Sequence, residues 1–167
     1  EKAIITDQIT GFITRHLGDY PHEKLMVTQI DAKKDPVYGL SQLPEFIRPF
    51  PKNFQFELQL LKNTLSNYLD NTLLINPRHE QWLKDVIQIY YFMKYIEEYY
   101  PDMKLLGTLA DIWGIRSFHA ADLYFNDQYN ITYMHMARTN RDQPLTMPKD
   151  KLLRFNGELA NKYKAGI

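Results

Sequence analysis

The side chains able to hold a metal, move a proton or attack a carbonyl are few in this chain, and their spacing decides what they can do. The five histidines are His16, His22, His79, His119 and His135, and there is no cysteine. A zinc site on a helix needs two imidazoles one turn apart, so that both reach the same ion. No two of these histidines stand at that spacing. His79-Glu80 opens like the His-Glu-x-x-His zinc motif, but its fifth position is Leu83, and His22-Glu23 fails in the same way at Met26. Such isolated histidines are more commonly solvated or satisfied within a core than ligands. His119 and Asp122 lie three apart, a spacing that orients an imidazole, yet no recognisable Ser or Cys nucleophile accompanies them. The seven glycines are scattered and build no phosphate-cradling loop, which argues against a nucleotide site.

The elements that must position these groups read as mostly helical. Ile4, Ile5, Ile9, Phe12 and Ile13 fall at helical spacing, and Gly18-Asp19-Tyr20-Pro21 punctuates the chain after them. The apolar, β-branched run Leu25-Met26-Val27-Thr28-Gln29-Ile30 predicts a strand. From Asp31 to Asn53 the chain carries Pro36, Gly39, Pro44, Pro49 and Pro51, so it should be extended or looped, with at most a turn of helix, and it is a candidate cleft wall. Leu58, Leu61, Leu65, Leu69 and Leu73 then predict a helix over about 54–74, the strongest periodic signal in the chain. Asn76-Pro77 breaks it. A second helix is predicted over about 80–99 on Trp82, Val86, Ile89, Tyr90, Met93 and Ile96, and Pro101 ends it. Further helical stretches are expected over 103–113, 117–125 and 149–163, with a loop around 138–148. Tyr90-Tyr91-Phe92 and Tyr99-Tyr100 lie on the second long helix or at its end, where aromatic residues pack a core more often than they stack ligands. The fold expected is therefore α+β and mostly helical, one domain over 1–167, with a short β-containing part at about 20–53 and a helical part at about 54–167.

Composition bounds the function classes. With 44% apolar and 24% charged residues the chain has an ordinary globular profile. Lys plus Arg equals Asp plus Glu at 20 each, so no overall field draws it to nucleic acid or to an anionic membrane. The lack of cysteine excludes disulfides, thiolate catalysis and Cys-ligated zinc, and leaves the compartment open. No apolar run approaches the roughly 20 residues that span a bilayer. A start at Glu1 and an end at Ala165-Gly166-Ile167 suggest a piece of a longer protein or a processed form.

Several landmarks fall in an ordered series. Tyr20-Pro21-His22-Glu23-Lys24-Leu25 leads into the apolar run; Val37-Tyr38-Gly39-Leu40 comes next; Lys62-Asn63-Thr64-Leu65-Ser66-Asn67-Tyr68-Leu69-Asp70-Asn71 lies on the first long helix. After Ser66, 18 residues intervene before Asp85 in Trp82-Leu83-Lys84-Asp85, and Asp142-Gln143-Pro144-Leu145-Thr146 and Tyr163-Lys164-Ala165-Gly166-Ile167 come later. This series resembles the zinc aminopeptidases related to aminopeptidase N, gluzincins with a thermolysin-like catalytic domain. The resemblance covers about residues 20–167. It sets the first motif beside the family's Tyr-Pro-x-x-Lys-Leu, the second beside the Asn-Trp-Gly-Leu closing Gly-x-Met-Glu-Asn-Trp-Gly-Leu, and the third beside His-Glu-x-x-His-Gln-Trp-Phe-Gly-Asn. It sets Asp85 at the Glu that is the third zinc ligand, the Pro-Leu-Thr beside a Pro-Leu-Ser or Pro-Leu-Thr loop, and Tyr163 at the catalytic Tyr of Tyr-x-Lys-Gly-Ala.

The resemblance also implies what has been lost. Lys62 and Ser66 stand where the imidazole ligands would be, Asn63 where the general base would be, and Pro36 where the family's Glu binds a substrate's amino terminus. Asp85 alone cannot hold the ion, Lys62 brings a cation to its place, and Asn63 cannot take a proton from water near neutral pH. Tyr163 survives as an oxyanion donor or as an ordinary helical Tyr, and a lone donor does not hydrolyse peptides. A pairing of the Lys62 ammonium with Asp85 in place of the metal is expected.

These losses imply a non-catalytic pseudo-metallopeptidase domain without zinc, a scaffold or a binder of a peptide or protein. Flanking domains of a longer chain are expected as further partners, since the family's β domain and helical domain are absent here. Two alternatives stand beside it. One is an active zinc aminopeptidase drawing ligands from His119, His135 or chain outside this sequence; the other is a helical interaction module unrelated to peptidases, which a missing strand before the two long helices would favour.

Overall fold

Ile5, Ile9, Phe12 and Ile13 gather on one side of the first helix, α1 (Lys2–Leu17), in the computed structural model of the chain, and all four are buried. The structure describes residues 1–34, 36–37, 48–117, 119–153 and 161–166. The chain divides into two compact units, Glu1–Leu73 and Leu74–Ile167. In the first, α1 ends at Gly18, whose φ of 93° and ψ of 179° are a backbone conformation essentially confined to glycine. Two further helices come after it, α2 (Gln29–Lys34) and α3 (Lys52–Thr72). Both α1 and α2 pack on α3, whose Phe54, Leu58, Leu61, Leu65 and Leu69 are buried.

Polar bonds fix the α1–α3 pairing at both ends. Gln8 Nε2 donates to the buried Glu57 Oε1 at 3.1 Å. At the other end the Tyr68 hydroxyl shares its proton between the carbonyls of Leu17 (3.0 Å) and Gly18 (3.2 Å). These carbonyls have no helical partner of their own, so the phenol acts as a C-terminal cap for α1. Burial, and secondarily the charge of Asp19, raise the Tyr68 pKa above the ordinary phenol value.

The expected strand over 24–30 is absent, and with it, among the described residues, the α+β class and the β-containing part at 20–53. Among the described residues the chain is all-α, and β pairing is limited to one isolated antiparallel bridge between Lys104 and Tyr124. The reason lies in Thr28-Gln29-Ile30-Asp31. Thr28 N and Oγ1 both donate to Asp31 Oδ2, at 2.8 and 2.9 Å, while Asp31 N reaches back to Thr28 Oγ1 at 3.4 Å. That is a capping box, so the residues read as the end of a strand instead begin α2. Leu25 to Thr28 run without regular structure, and the Met26 carbonyl is held by Asn67 Nδ2 of α3 at 2.8 Å.

In the second unit α4 (Gln81–Tyr99) buries Ile89, Phe92, Tyr95 and Ile96, close to the bounds its periodicity predicts. The stretch predicted helical over 103–113 is broken into a 3₁₀ turn at Gly107–Asp111 and the start of the single-turn α5 (Trp113–Arg116). Among the described residues of 117–125 only His119–Ala121 is helical, again as 3₁₀. Leu105 N donates to Leu123 O and Phe125 N to Met103 O, each at 2.8 Å, which commits these segments to the isolated bridge. A helix that the sequence pattern does not predict, α6 (Asp127–Arg138), buries Tyr129 and Met136. It ends in a Schellman motif, with Arg141 N donating to Met136 O (3.0 Å), Asn140 N to Ala137 O (3.2 Å), and Asn140 at φ 53°. Asn is among the few residues that tolerate that conformation. The last helix, α7 (Asn161–Gly166), packs on α4 and α6, and residues 154–160 of the helix predicted over 149–163 lie outside the described residues. No helix among the described residues is long and apolar enough to cross a membrane.

Leu61 is fully buried whereas Leu74 is fully exposed. Leu61→Ala should therefore cost about 2–5 kcal/mol of unfolding free energy, and Leu74→Ala about 0.5 kcal/mol or less, both measured by urea denaturation; equal costs would contradict this packing.

Candidate functional site

Of the residues singled out on the first long helix, Lys62 and Asn63 do come together with Pro36. Pro36 and Val37 lie beside α3, and the peptide unit joining them is held at both of its polar groups. Its carbonyl accepts from Lys62 Nζ and its N–H donates to Gln59 Oε1, each at 2.9 Å. In a trans peptide these two groups point in opposite directions, so two side chains three residues apart on one helix grip the unit from its two sides. The grip continues along the helix. Gln59 Nε2 donates to Asn63 Oδ1 at 3.0 Å, and one turn earlier Gln55 Nε2 donates to the Phe50 carbonyl at 2.7 Å. Gln55, Gln59 and Asn63 are thus a carboxamide stripe with four-residue spacing.

The orientation of each amide is set by its neighbour. Val37 N–H can only donate, so Gln59 presents its oxygen there and its nitrogen to Asn63, which must answer with oxygen. The Nδ2 of Asn63 is left with no acceptor among the described residues. Asn63 is itself buried and lines a cleft of about 460 Å³. The apolar wall of that cleft includes Val27, Ala32, Phe56 and Leu60, with Gln55, Gln59 and Lys33 among its polar members. A second cleft of about 480 Å³ in the same unit shares Val27 and Leu60 and extends along Ile9, Ile13 and Tyr68.

The other expected residues are more scattered. Ser66 is half-buried on α3, one turn beyond Lys62. Asp85 is buried on α4 in the second unit, where its Oδ1 accepts from Gln81 Nε2 at 3.3 Å. The pairing expected between Lys62 and Asp85 would join the two units. Tyr163 on α7 sits edge-on to Tyr129 of α6, ring centres 4.7 Å apart. Tyr129 is buried, and burial, followed by the neighbouring Tyr163, pushes its pKa well above the ordinary phenol value. Within its own unit Tyr163 therefore packs an aromatic pair. The next residue, Lys164, bonds Asp142 at 2.5 Å and the Gln143 carbonyl at 3.2 Å, tying the Asp142–Thr146 loop to α7. Tyr38, Gly39 and Leu40 of the second landmark lie outside the described residues.

The zinc implied by the resemblance does not fit the side chains present. Lys62 offers an ammonium that is engaged with a carbonyl, Asn63 and Ser66 are weak neutral donors, and among the described residues no three His, Asp or Glu side chains gather at one point. Gln59 is the member of this hydrogen-bond network that sequence reasoning misses. Its signal is present in the four-residue spacing Gln55, Gln59, Asn63, which reads equally well as a solvated helix face. No protein family, curated protein or solved structure was found to match the chain.

Thr28 of the capping box also lines the 460 Å³ cleft. The Thr28 N–H, and then its hydroxyl, hold the Asp31 carboxyl below the ordinary aspartate value. A depressed folded pKa means the cap contributes fully above the ordinary value and is lost as pH falls through the lowered one. Thr28→Ala removes the hydroxyl and keeps the N–H, so it should raise the Asp31 midpoint in part in a carbon-detected NMR titration; an unchanged midpoint would show that the hydroxyl does not contribute.

Proposed function

We propose that this chain is a non-catalytic binding domain that takes an extended peptide or protein segment along α3, on a chain whose landmarks are ordered as in a zinc aminopeptidase. The observation that carries the proposal is the two-sided grip of Gln59 and Lys62 on the Pro36–Val37 peptide unit. Where the resemblance implies a metal ligand and a base, Lys62 and Asn63 serve amide and carbonyl groups instead. Side chains that hold main-chain amides of their own chain have the chemistry to hold those of another. Asn63 keeps an unused N–H₂ donor beside an apolar cleft whose size suits one or two side chains. An extended ligand would offer a carbonyl to that donor and apolar side chains to Val27, Ala32 and Leu60.

A second reading, a helical interaction module unrelated to peptidases, is favoured by the missing strand before α3. Both readings exclude a working zinc site among these residues, and they part on ancestry. Lys62→His with Ser66→His creates an imidazole pair on any helix. If the peptidase register is correct, adding Asp85→Glu should tighten zinc binding by about tenfold or more over adding Asp85→Ala, measured by calorimetry. Equal affinities would leave the unrelated module.

The unmodified chain should show neither stoichiometric zinc binding nor cleavage of a fluorogenic aminoacyl substrate; tight binding with chelator-sensitive turnover would overturn the non-catalytic reading. For peptide binding, sequences enriched from a displayed library should bind Asn63→Ala about fivefold or more weakly, the scale of one lost hydrogen bond to a buried group. Undiminished binding would sink the proposed role of the α3 stripe.

A further inference from the structure

Independently of the α3 cleft, the second unit carries a small cavity of about 270 Å³ at the C-terminal end of α4. Its walls include Tyr100, Tyr124, Phe125 and Met103, and its polar members are Glu97, Asn126 and Asp127. Among the described residues no basic side chain lines it. We propose that this cavity binds a single alkylammonium group, the chemistry of a lysine side chain on a partner or of a small primary amine.

The electrostatics of α4 are the first reason. The last turn of a helix presents unpaired carbonyls and carries partial negative charge, so cations are favoured there and carboxylates disfavoured. The last turn of α4 has no basic residue and instead carries Glu97. Glu97 forms no ion pair among the described residues; its contact is a long bond of 3.4 Å from Asn126 Nδ2. Helix end and carboxylate therefore add at one point without a counter-charge from α4's own last turn. Asp127 contributes less, because its Oδ2 accepts the Tyr124 N–H at 2.7 Å and it stands in the first turn of α6, whose own dipole it offsets.

Asn126 supplies the second reason. Its Nδ2 donates to the Met93 carbonyl at 3.0 Å and faces Glu97, both acceptors, so the amide cannot be turned over. Its Oδ1 is left buried with no donor among the described residues. A buried acceptor without a partner is uncommon and costly, and Asn126 is one of the residues that line the cavity.

The walls give the third. Tyr100 and Tyr124 are among the lining residues, and tyrosine rings attract cations at their faces; Tyr124 already has the Lys104 ammonium 4.0 Å from its ring centre, with that Lys bonded to the Asp122 carbonyl at 3.1 Å. Lys104 is thus engaged outside the lining. Apolar walls with an acidic end match a methylene stem carrying an ammonium, and the volume is that of one long side chain.

The test uses n-butylammonium, with n-butanol as the neutral probe of the same stem, followed by ¹⁵N–¹H NMR of the intact chain. Butylammonium should give saturable shifts at the Asn126 side-chain amide and the Tyr124 backbone, weakening as salt is raised, while butanol gives none. Glu97→Gln, at an exposed position whose only bond among the described residues is the long one, should weaken butylammonium about threefold with an otherwise superimposable spectrum. Equal shifts with butanol would mean an apolar cavity without charge selectivity, and an unchanged affinity in Glu97→Gln would remove the charge argument; either overturns the proposal. Should Glu97→Gln perturb the fold, the salt dependence and the butanol comparison on the unmodified chain still decide it.

Discussion

Everything in the first unit turns on how α3 divides its circumference. Leu58, Leu61, Leu65 and Leu69 claim one side for the core, and burial of such side chains is worth about 1.5–3 kcal/mol each. With that side fixed, the stripe Gln55, Gln59, Asn63 is carried about 100° round the axis, and its direction is no longer free. The helix cannot rotate to bring its carboxamides elsewhere without exposing leucines. The peptide unit of Pro36 and Val37 is thus met by side chains whose positions are set by an apolar contact on another face. The geometry of this grip is a by-product of packing.

The sequence makes the two long helices legible because their apolar residues repeat over five turns or so, long enough for period to outweigh local ambiguity. The strand over 24–30 fails for the opposite reason. Six residues, five of them β-branched or apolar, cannot be told from the lead-in to a helix by pattern alone, and the deciding feature is the Thr28–Asp31 pair at their end. That pair is a helix-start signal written in the same residues. α6 escapes because Tyr129, Tyr133 and Met136 are spaced helically among Asn and Thr residues of low helix propensity, and its Asn140 terminus reads as part of a loop.

The site is legible in part. Reading Lys62, Asn63 and Pro36 as one neighbourhood rests on the order of the landmarks, and the first unit does bring them together. Their use is not written in the sequence. Gln59 is the hinge of that network, yet glutamine on a helix is as a rule solvated, so its type carries little information. The cavity at the end of α4 is invisible for a different reason: Glu97, Tyr100, Tyr124 and Asn126 become neighbours only through the bridge between Met103–Leu105 and Leu123–Phe125, a pairing of two short segments that no periodicity announces.

The single bridge has a consequence of its own. An isolated pair of residues offers no strand edge, so among the described residues nothing can extend a visiting chain by main-chain pairing, the mode in which affinity comes from groups common to almost every residue type. On α3 the hold on the Pro36–Val37 unit instead passes through replaceable side chains. In the binding role proposed for it, such a surface would change its preferences one residue at a time. It is adaptable by drift, and vulnerable to it in equal measure.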